Sequence, residues 1–150
     1  MYSFILATHN IVRWLVLIAA VVVIVQAFVG WLGKKEWSKA NNLTGIIYVS
    51  AVDLNVLLGL ILYLFLSPLT RQAFADFGAA MGNPILRFFA VEHIFMMLVA
   101  LALAHIGRSL SKKATETAKK HRTAAIWYTL SLLVILIMIP WGRPFWPGVG

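Results

Sequence analysis

Four long runs of apolar residues are the feature that most constrains how this chain can fold. They cover roughly residues 10–33, 43–66, 85–107 and 123–141. Each run is close to the ~20 residues that a helix needs to cross the hydrocarbon core of a bilayer. Backbone groups in lipid must bond to one another, so the runs are expected as helices, and no alternating pattern of a membrane β-barrel competes. The sequence therefore predicts an all-α integral membrane protein.

The composition agrees with a lipid environment. Of the 150 residues, 61% are hydrophobic and 12% are charged, whereas soluble domains contain about half apolar and about a quarter charged residues. A chain of this length forms one domain, 1–150, with helices predicted at about 4–33, 43–66, 85–110 and 123–141. The sequence has no cysteine, which excludes disulfides, thiolate metal sites and covalent attachment of a cofactor through cysteine.

The connections predict an antiparallel four-helix transmembrane bundle. The first and third connections are short or polar and carry most of the basic residues, and the middle connection, 67–84, contains prolines and glycines that are typical of a loop. The basic residues of the first and third connections are Lys34, Lys35, Lys39, Arg108, Lys112, Lys113, Lys119, Lys120 and Arg122. Because cytoplasmic connections are enriched in Lys and Arg, both termini are expected outside. The same distribution explains the net charge of +8 without a nucleic-acid partner.

Ionisable side chains inside the apolar runs are the candidate functional residues, because each costs at least a few kcal/mol near the bilayer centre. The candidates in the first three runs are His9, Arg13, Asp53, Glu92, His93 and His105. The side chain of Asn55, also in the second run, is expected to hydrogen-bond to a neighbouring helix rather than to belong to the site. Glu92 is expected to form a salt bridge with Arg13. Asp53 must be protonated, or paired with Arg13 or a histidine. His105 is expected near the cytoplasmic surface, where its side chain can reach the interface.

The basic residues on the opposite side are few, and three of them are expected at one depth. Counting 1.5 Å per residue from the inner boundaries places Arg13, Arg87 and Arg143 about 30 Å above the cytoplasmic edge. Arg13 and Arg87 are either interfacial anchors or ligands for carboxylates or anionic lipid headgroups, which suit the planar guanidinium fork, and Arg143 is expected only at the interface.

His93 is the central candidate, and two interpretations of it remain open. It is either a hydrogen-bonded core residue or a haem or metal ligand. It shares one helical face with Met97, Ala100, Ala104 and Gly107, a stripe that suits either a flat ligand or a closely packed helix. On straight helices His9 and His93 differ in depth by about 15 Å, which is too far for two ligands of one iron.

Four segments carry a resemblance to a known group of proteins. HNIVRW (9–14), LLGLILY (57–63), RFFAVEHIFMM (87–97) and GRSLSKK (107–113) resemble small bacterial four-helix membrane proteins described as cytochrome-b-like. The resemblance implies non-covalent haem b with histidine axial ligands and membrane electron transfer in the bacterial inner membrane. It extends to His9, Arg13, Arg87, Glu92 and His93, and it departs at Asp53, where similar sequences have a histidine.

Two functional hypotheses follow. In the first, haem b lies in the outer leaflet with His93 as one axial ligand and either His9 or a displaced histidine as the second. Arg13 and Arg87 meet its propionates, and Glu92 tunes or orients the site. Such a protein would exchange electrons with quinone or within a larger respiratory-type complex, and would be an electron-transfer protein rather than a catalyst. In the alternative, the chain is a cofactor-free accessory, small-solute or proton-handling protein with a buried polar network. Either hypothesis is compatible with an oligomer. That network would join Arg13, Asp53, Glu92 and His93.

Overall fold

Four long helices dominate the computed structural model, which describes residues 1–143. All four are long and apolar enough to cross a membrane, and the described residues contain no strand. The helices are α1 (Tyr2–Leu32), α2 (Lys39–Ile61), the short α3 (Pro68–Ala75), α4 (Phe77–Gly82) and α5 (Pro84–Arg87), then α6 (His93–Lys113) and α7 (Thr117–Met138). The all-α fold and the multi-pass membrane class are confirmed.

Two π-helical segments extend the second and third membrane-spanning helices. Leu62–Leu66 continues α2, and Phe88–Glu92 joins α5 to α6, so the two spans run over Lys39–Leu66 and Pro84–Lys113. The π-segments contact each other where the Tyr63 hydroxyl donates a 2.8 Å hydrogen bond to the Ala90 carbonyl. Segments of this kind are rare and often occur at functional sites, because they rotate the side chains that follow them.

The middle connection is helical, and the prediction of a loop over 67–84 is wrong. Ser67 accepts a hydrogen bond from the Thr70 amide and is followed by Pro68 at the first helical position. Asn83 and Pro84 begin α5 in the same way, and Asp76 caps α4. Proline at a first helical position loses no intrahelical bond, so these prolines start helices instead of interrupting them.

The long helices pack as a closed ring. α1 contacts α2 and α7, and α6 also contacts α2 and α7. Ala100, Ala104 and Gly107 on α6 are buried, and a Cβ atom added at Gly107 would lie 2.7 Å from the Cβ of Trp127. The stripe of small residues therefore serves the close approach of α6 and α7, as small residues commonly do between membrane helices.

A fully buried set of hydrogen bonds ties three helices together near the middle of the bundle. The Tyr48 hydroxyl donates to Ser131 Oγ, and Ser131 Oγ donates to the Ala100 carbonyl, each at 2.8 Å. Tyr128 packs edge-on against Tyr48, with ring centroids 5.3 Å apart. We call Tyr48, Ser131 and Ala100 the bonded layer. The end of the bundle that holds residue 1 and the end of α7 is the terminal end, and the other is the basic end.

Candidate functional site

A cavity of about 470 Å³ lies among the helices at the terminal end. This volume is in the range of about 300–1,000 Å³ found for ligand pockets. The walls are mostly apolar, with a few polar side chains. The polar and ionisable lining residues include Tyr2, Ser3, His9, Asn10, Arg13, Asn55, Tyr63, Ser67, Thr70, His93 and Arg143.

His9 reaches the cavity from α1 and is fixed against α2. Its Nδ1 atom lies 3.1 Å from the Asn55 carbonyl oxygen. A Cβ atom added at Gly59 would lie 3.4 Å from His9 Cε1, so the ring packs directly on the α2 backbone at that glycine. The glycine of LLGLILY thus lies in the wall against which this imidazole packs.

His93 reaches the same cavity from the start of α6. Its Nδ1 atom lies 2.9 Å from the carbonyl oxygen of Met138, the last residue of α7. The last carbonyls of a helix have no partner within the helix, so this bond satisfies a group that would otherwise be unpaired. Phe88 and Phe89 hold the ring from the side, with centroids 5.6 and 6.2 Å from it.

The two histidines lie at similar depth, and the expected difference of about 15 Å is not found. Asn55 and Met138, whose carbonyls bind the two rings, are each seven residues from the bonded layer along their helices, and His93 is also seven residues from it. Seven residues correspond to about 10 Å. The carbonyls of Asn55 and Met138 therefore lie at similar depth in the bundle. Their depths differ by no more than the length of the Tyr48 side chain, which links α2 to Ser131 in the bonded layer. The prediction failed largely because α6 continues to Lys113, six residues beyond the boundary at 107 from which the depth of His93 was counted, and six residues are about 9 Å of helix.

Both imidazoles are the same tautomer. A backbone carbonyl can only accept, so Nδ1 of each ring carries the proton and donates it. The neutral ring then has its lone pair on Nε2, and neither Nε2 makes a hydrogen bond within residues 1–143. Histidines that bind metals are typically held in this way, with the second nitrogen on a carbonyl that fixes the tautomer and the ring plane.

Asn55 offers a further polar atom to a ligand. Its side chain lines the cavity, and its Oδ1 atom is buried without a hydrogen-bond partner in the part of the chain that the structure describes. The expected helix–helix hydrogen bond of Asn55 is absent there. A buried amide oxygen without a partner is costly, so a donor from a bound molecule or water would stabilise it.

Two arginines border the cavity. Arg13 is only 8% exposed, and its Nη1 lies 3.4 Å from Asn10 Oδ1. The guanidinium of Arg143 lies 4.7 Å from the centroid of the Phe89 ring. Both are placed to receive carboxylates of a molecule in the cavity, through bidentate hydrogen bonds that suit that group.

Glu92 and Arg87 do not border the cavity, and the expected salt bridge between Glu92 and Arg13 is wrong. Arg87 Nε lies 2.7 Å from Glu92 Oε1, and both side chains are partly exposed. The two residues are five apart, since Arg87 immediately precedes the π-segment Phe88–Glu92 and Glu92 is its last residue. The wider π-turn brings residues five apart together, as an α-helix does not. The roles that the resemblance implies for Arg87 and Glu92 at the cofactor thus have no support in their positions.

Asp53 pairs with His105, so the predicted polar network is not formed. Asp53 Oδ1 lies 2.7 Å from His105 Nε2, and their side chains are 47% and 52% exposed. His105 is bound to this carboxylate, not extended to the cytoplasmic surface as expected. Because Asp53 and Glu92 each have a different partner, Arg13, Asp53, Glu92 and His93 do not form one network among the described residues.

Sequence reasoning missed three contributors to the site. Arg143 was assigned only to the interface, Asn55 only to helix packing, and Gly59 was not singled out. A signal existed for Gly59, since a glycine within an apolar run often marks the close approach of a neighbouring side chain. Nothing in the sequence distinguishes Arg143 from Arg87 as the second cavity arginine, because the difference depends on the π-segment.

No protein-family model, curated protein or solved structure matches this chain. The resemblance to cytochrome-b-like proteins therefore stays a prediction, and the functional argument depends on the site itself.

The donor set at the cavity fits a group that needs only two protein ligands. Residues 1–143 contain no cluster of three or more His, Asp or Glu side chains able to hold a metal ion. A tetrahedral zinc site needs at least three such ligands. Haem iron already has four nitrogen ligands from its porphyrin, so two imidazoles in an apolar cavity complete its coordination. Two histidines are thus too few for a tetrahedral zinc ion, and they would be enough to hold haem.

Proposed function

We propose that this chain is a b-type membrane cytochrome that binds haem between His9 and His93. One observation carries the proposal: two imidazoles from different helices border one cavity, and each is held by a backbone carbonyl on Nδ1 with Nε2 left for a ligand. Two histidines of the same tautomer at similar depth would each be able to offer Nε2 to the iron of one haem.

The remaining lining residues have complementary roles in this proposal. Arg13 and Arg143 receive the propionates, with Arg143 in the place that the resemblance assigns to Arg87. Phe89, Met97 and Ile135 contribute apolar walls that exclude water from the ligand nitrogens. Haem b held by His9 and His93 would supply reversible one-electron transfer, and with both histidines bound the iron would have no free position for a substrate.

The proposed topology is an antiparallel bundle in a bacterial inner membrane, with both termini periplasmic. Support for antiparallel neighbours comes from the bonds between α1 and α2: Gln26 contacts Thr44 near the basic end, and His9 contacts Asn55 near the terminal end. The nine basic residues of the first and third connections favour a cytoplasmic basic end. The site then lies in the outer leaflet, within reach of quinone or a larger membrane complex.

An absorption spectrum of detergent-purified protein tests the proposal directly. After expression with a supply of haem, we expect a Soret band, and sharp α and β bands on reduction with dithionite. His93→Ala and His9→Ala should each remove the low-spin spectrum, because one axial ligand is lost.

His105→Ala is the matched control, since it removes a histidine of the same transmembrane region that does not border the cavity. Its spectrum should equal that of the unsubstituted chain. A helical, monodisperse protein with no Soret band would overturn the haem proposal, and so would a spectrum unaffected by both cavity substitutions.

A further inference from the structure

The pair formed by Asp53 and His105 lies on the outer surface of the bundle, within two of the membrane-spanning helices. Asp53 is fourteen residues beyond Lys39, the start of α2, and thirteen before Leu66, or about 20 Å of helix on each side. His105 is eight residues before Lys113, the end of α6, or about 12 Å. Both side chains are about half exposed. Ionisable groups in membrane helices are costly when they face lipid, and they commonly mark contacts with protein or water.

The pair also has unused hydrogen-bonding capacity. The bond joins Asp53 Oδ1 to His105 Nε2, and neither Asp53 Oδ2 nor His105 Nδ1 has a partner within residues 1–143. One face thus offers an acceptor from α2 and a ring nitrogen from α6, side by side and open to the outside.

Residues around the pair form two matching exposed stripes. On α2 and on α6 the exposed residues recur with the spacing 4, 3, 4, which keeps them on one side of each helix. The stripes are Ile46, Ser50, Asp53 and Leu57 on α2, and Leu98, Ala102, His105 and Ser109 on α6. This spacing is that of a helix–helix seam, and its small residues allow close approach of backbones in a membrane.

We propose that the α2–α6 face binds a second copy of this chain, and that Asp53 of each copy pairs with His105 of the other. A two-fold axis along the membrane normal keeps the depth of every residue and brings α2 of one copy opposite α6 of the other. Asp53 and His105 lie at one depth because they are bonded, so each carboxylate meets an imidazole across the axis. The same operation brings Ser50 opposite Ser109 and Leu57 opposite Ala102.

Charge complementarity is the reason that the partner is a copy of this chain. A face that carries one acidic and one basic group side by side is complementary to itself after a two-fold rotation. In the dimer the four side chains close a ring of hydrogen bonds, which uses the second oxygen and the second nitrogen. The proposal does not depend on the cofactor in the cavity.

Cysteine cross-linking in membranes tests the proposal, because the chain contains no cysteine of its own. Two copies with different tags are co-expressed, one with Ser50→Cys and the other with Ser109→Cys, and membranes are oxidised with copper phenanthroline. We expect a disulfide-linked product that carries both tags, since a disulfide needs Cβ atoms about 4 Å apart. Asp53→Asn in both copies should lower its yield several-fold.

Leu15→Cys on α1 with Leu133→Cys on α7 is the control pair, because both residues are exposed on helices away from this face. It should give little product. Mixed-tag product no greater than in this control would overturn the proposal, provided that maleimide labels all four cysteines. A disulfide to a different polypeptide instead of the tagged copy would also overturn it.

Discussion

At the scale of single residues, the two cavity histidines show how a neutral imidazole is fixed without an acidic partner. His9 and His93 each use a backbone carbonyl, one from the middle of α2 and one from the end of α7. A carbonyl has no charge to bury, so orienting the ring costs less than it would with a carboxylate in the same place. The carboxylates of Asp53 and Glu92 are correspondingly kept in partly exposed pairs.

Substitution of Glu92 tests whether this residue only pairs with Arg87, as observed, or also acts at the cavity, as predicted. Because Glu92 pairs with Arg87 at a partly exposed site, Glu92→Gln should change the free energy of unfolding by less than about 1 kcal/mol. It should also leave the spectrum of reconstituted haem unchanged. Melting in detergent and the reduced-minus-oxidised spectrum measure both. A role in the cavity would instead appear as a shifted or lost α band.

The sequence was sufficient to predict several residues that border the cavity, but not the atoms that these residues contact. His9, Arg13 and His93 stand out because polar groups in apolar runs need compensation, and all three border the cavity. Their partners depend on the depth of each helix relative to its neighbours, and the helix boundaries read from the sequence did not give that depth. The partner of Glu92 depends on a π-segment, and the apolar pattern of a π-turn does not differ enough from that of an α-helix to predict it.

At the scale of elements, close contact between α1 and α7 at the basic end depends on one glycine. A Cβ atom at Gly30 would lie 2.2 Å from His121 Cε1, and the His121 ring is 1% exposed. The ring packs against Trp37, and its Nε2 lies 3.1 Å from the Lys35 carbonyl oxygen. His121 was not among the sequence candidates, because it follows two lysines in a polar segment and resembles a solvated residue there.

Gly30→Ala should therefore destabilise the bundle. The methyl group displaces a buried, bonded ring, and overpacking of this kind costs about 1–3 kcal/mol. A lower melting temperature in detergent would register the loss. Gly82→Ala is the control, since a Cβ atom there meets nothing within 4 Å.

A double substitution tests the cause. In a His121→Ala background the clash is removed, so Gly30→Ala should add little to the loss already caused by His121→Ala. Additive losses would contradict the steric explanation.

At the scale of the whole molecule, the four apolar runs were sufficient to predict the membrane class and the number of long helices. The predicted limits differ from the observed ones by a few residues: α7, for example, begins at Thr117 where about 123 was predicted. Helices extend beyond the bilayer into polar segments, where hydropathy no longer marks their ends. The helices of the middle connection were missed because proline and glycine were interpreted as loop residues.

Cysteine labelling tests the predicted orientation. In intact cells with a permeabilised outer membrane, a membrane-impermeant maleimide should label Ser3→Cys, and should label Lys113→Cys only after lysis. Both positions are exposed and lie at opposite ends of the bundle, and the basic connections favour the cytoplasm. The reverse labelling pattern would place the cavity in the inner leaflet.

The bonded layer has a consequence for the direction from which water, ions and partner molecules can reach the cavity. Tyr48, Ser131 and Ala100 are almost completely buried and form a floor beneath the cavity. Their hydrogen-bonding groups bind one another, so these groups are not available to water or ions at that level. Under the proposed function, an electron-transfer partner would therefore reach the cavity from the terminal end or from the lipid beside it, and the protein would act on one side of the membrane.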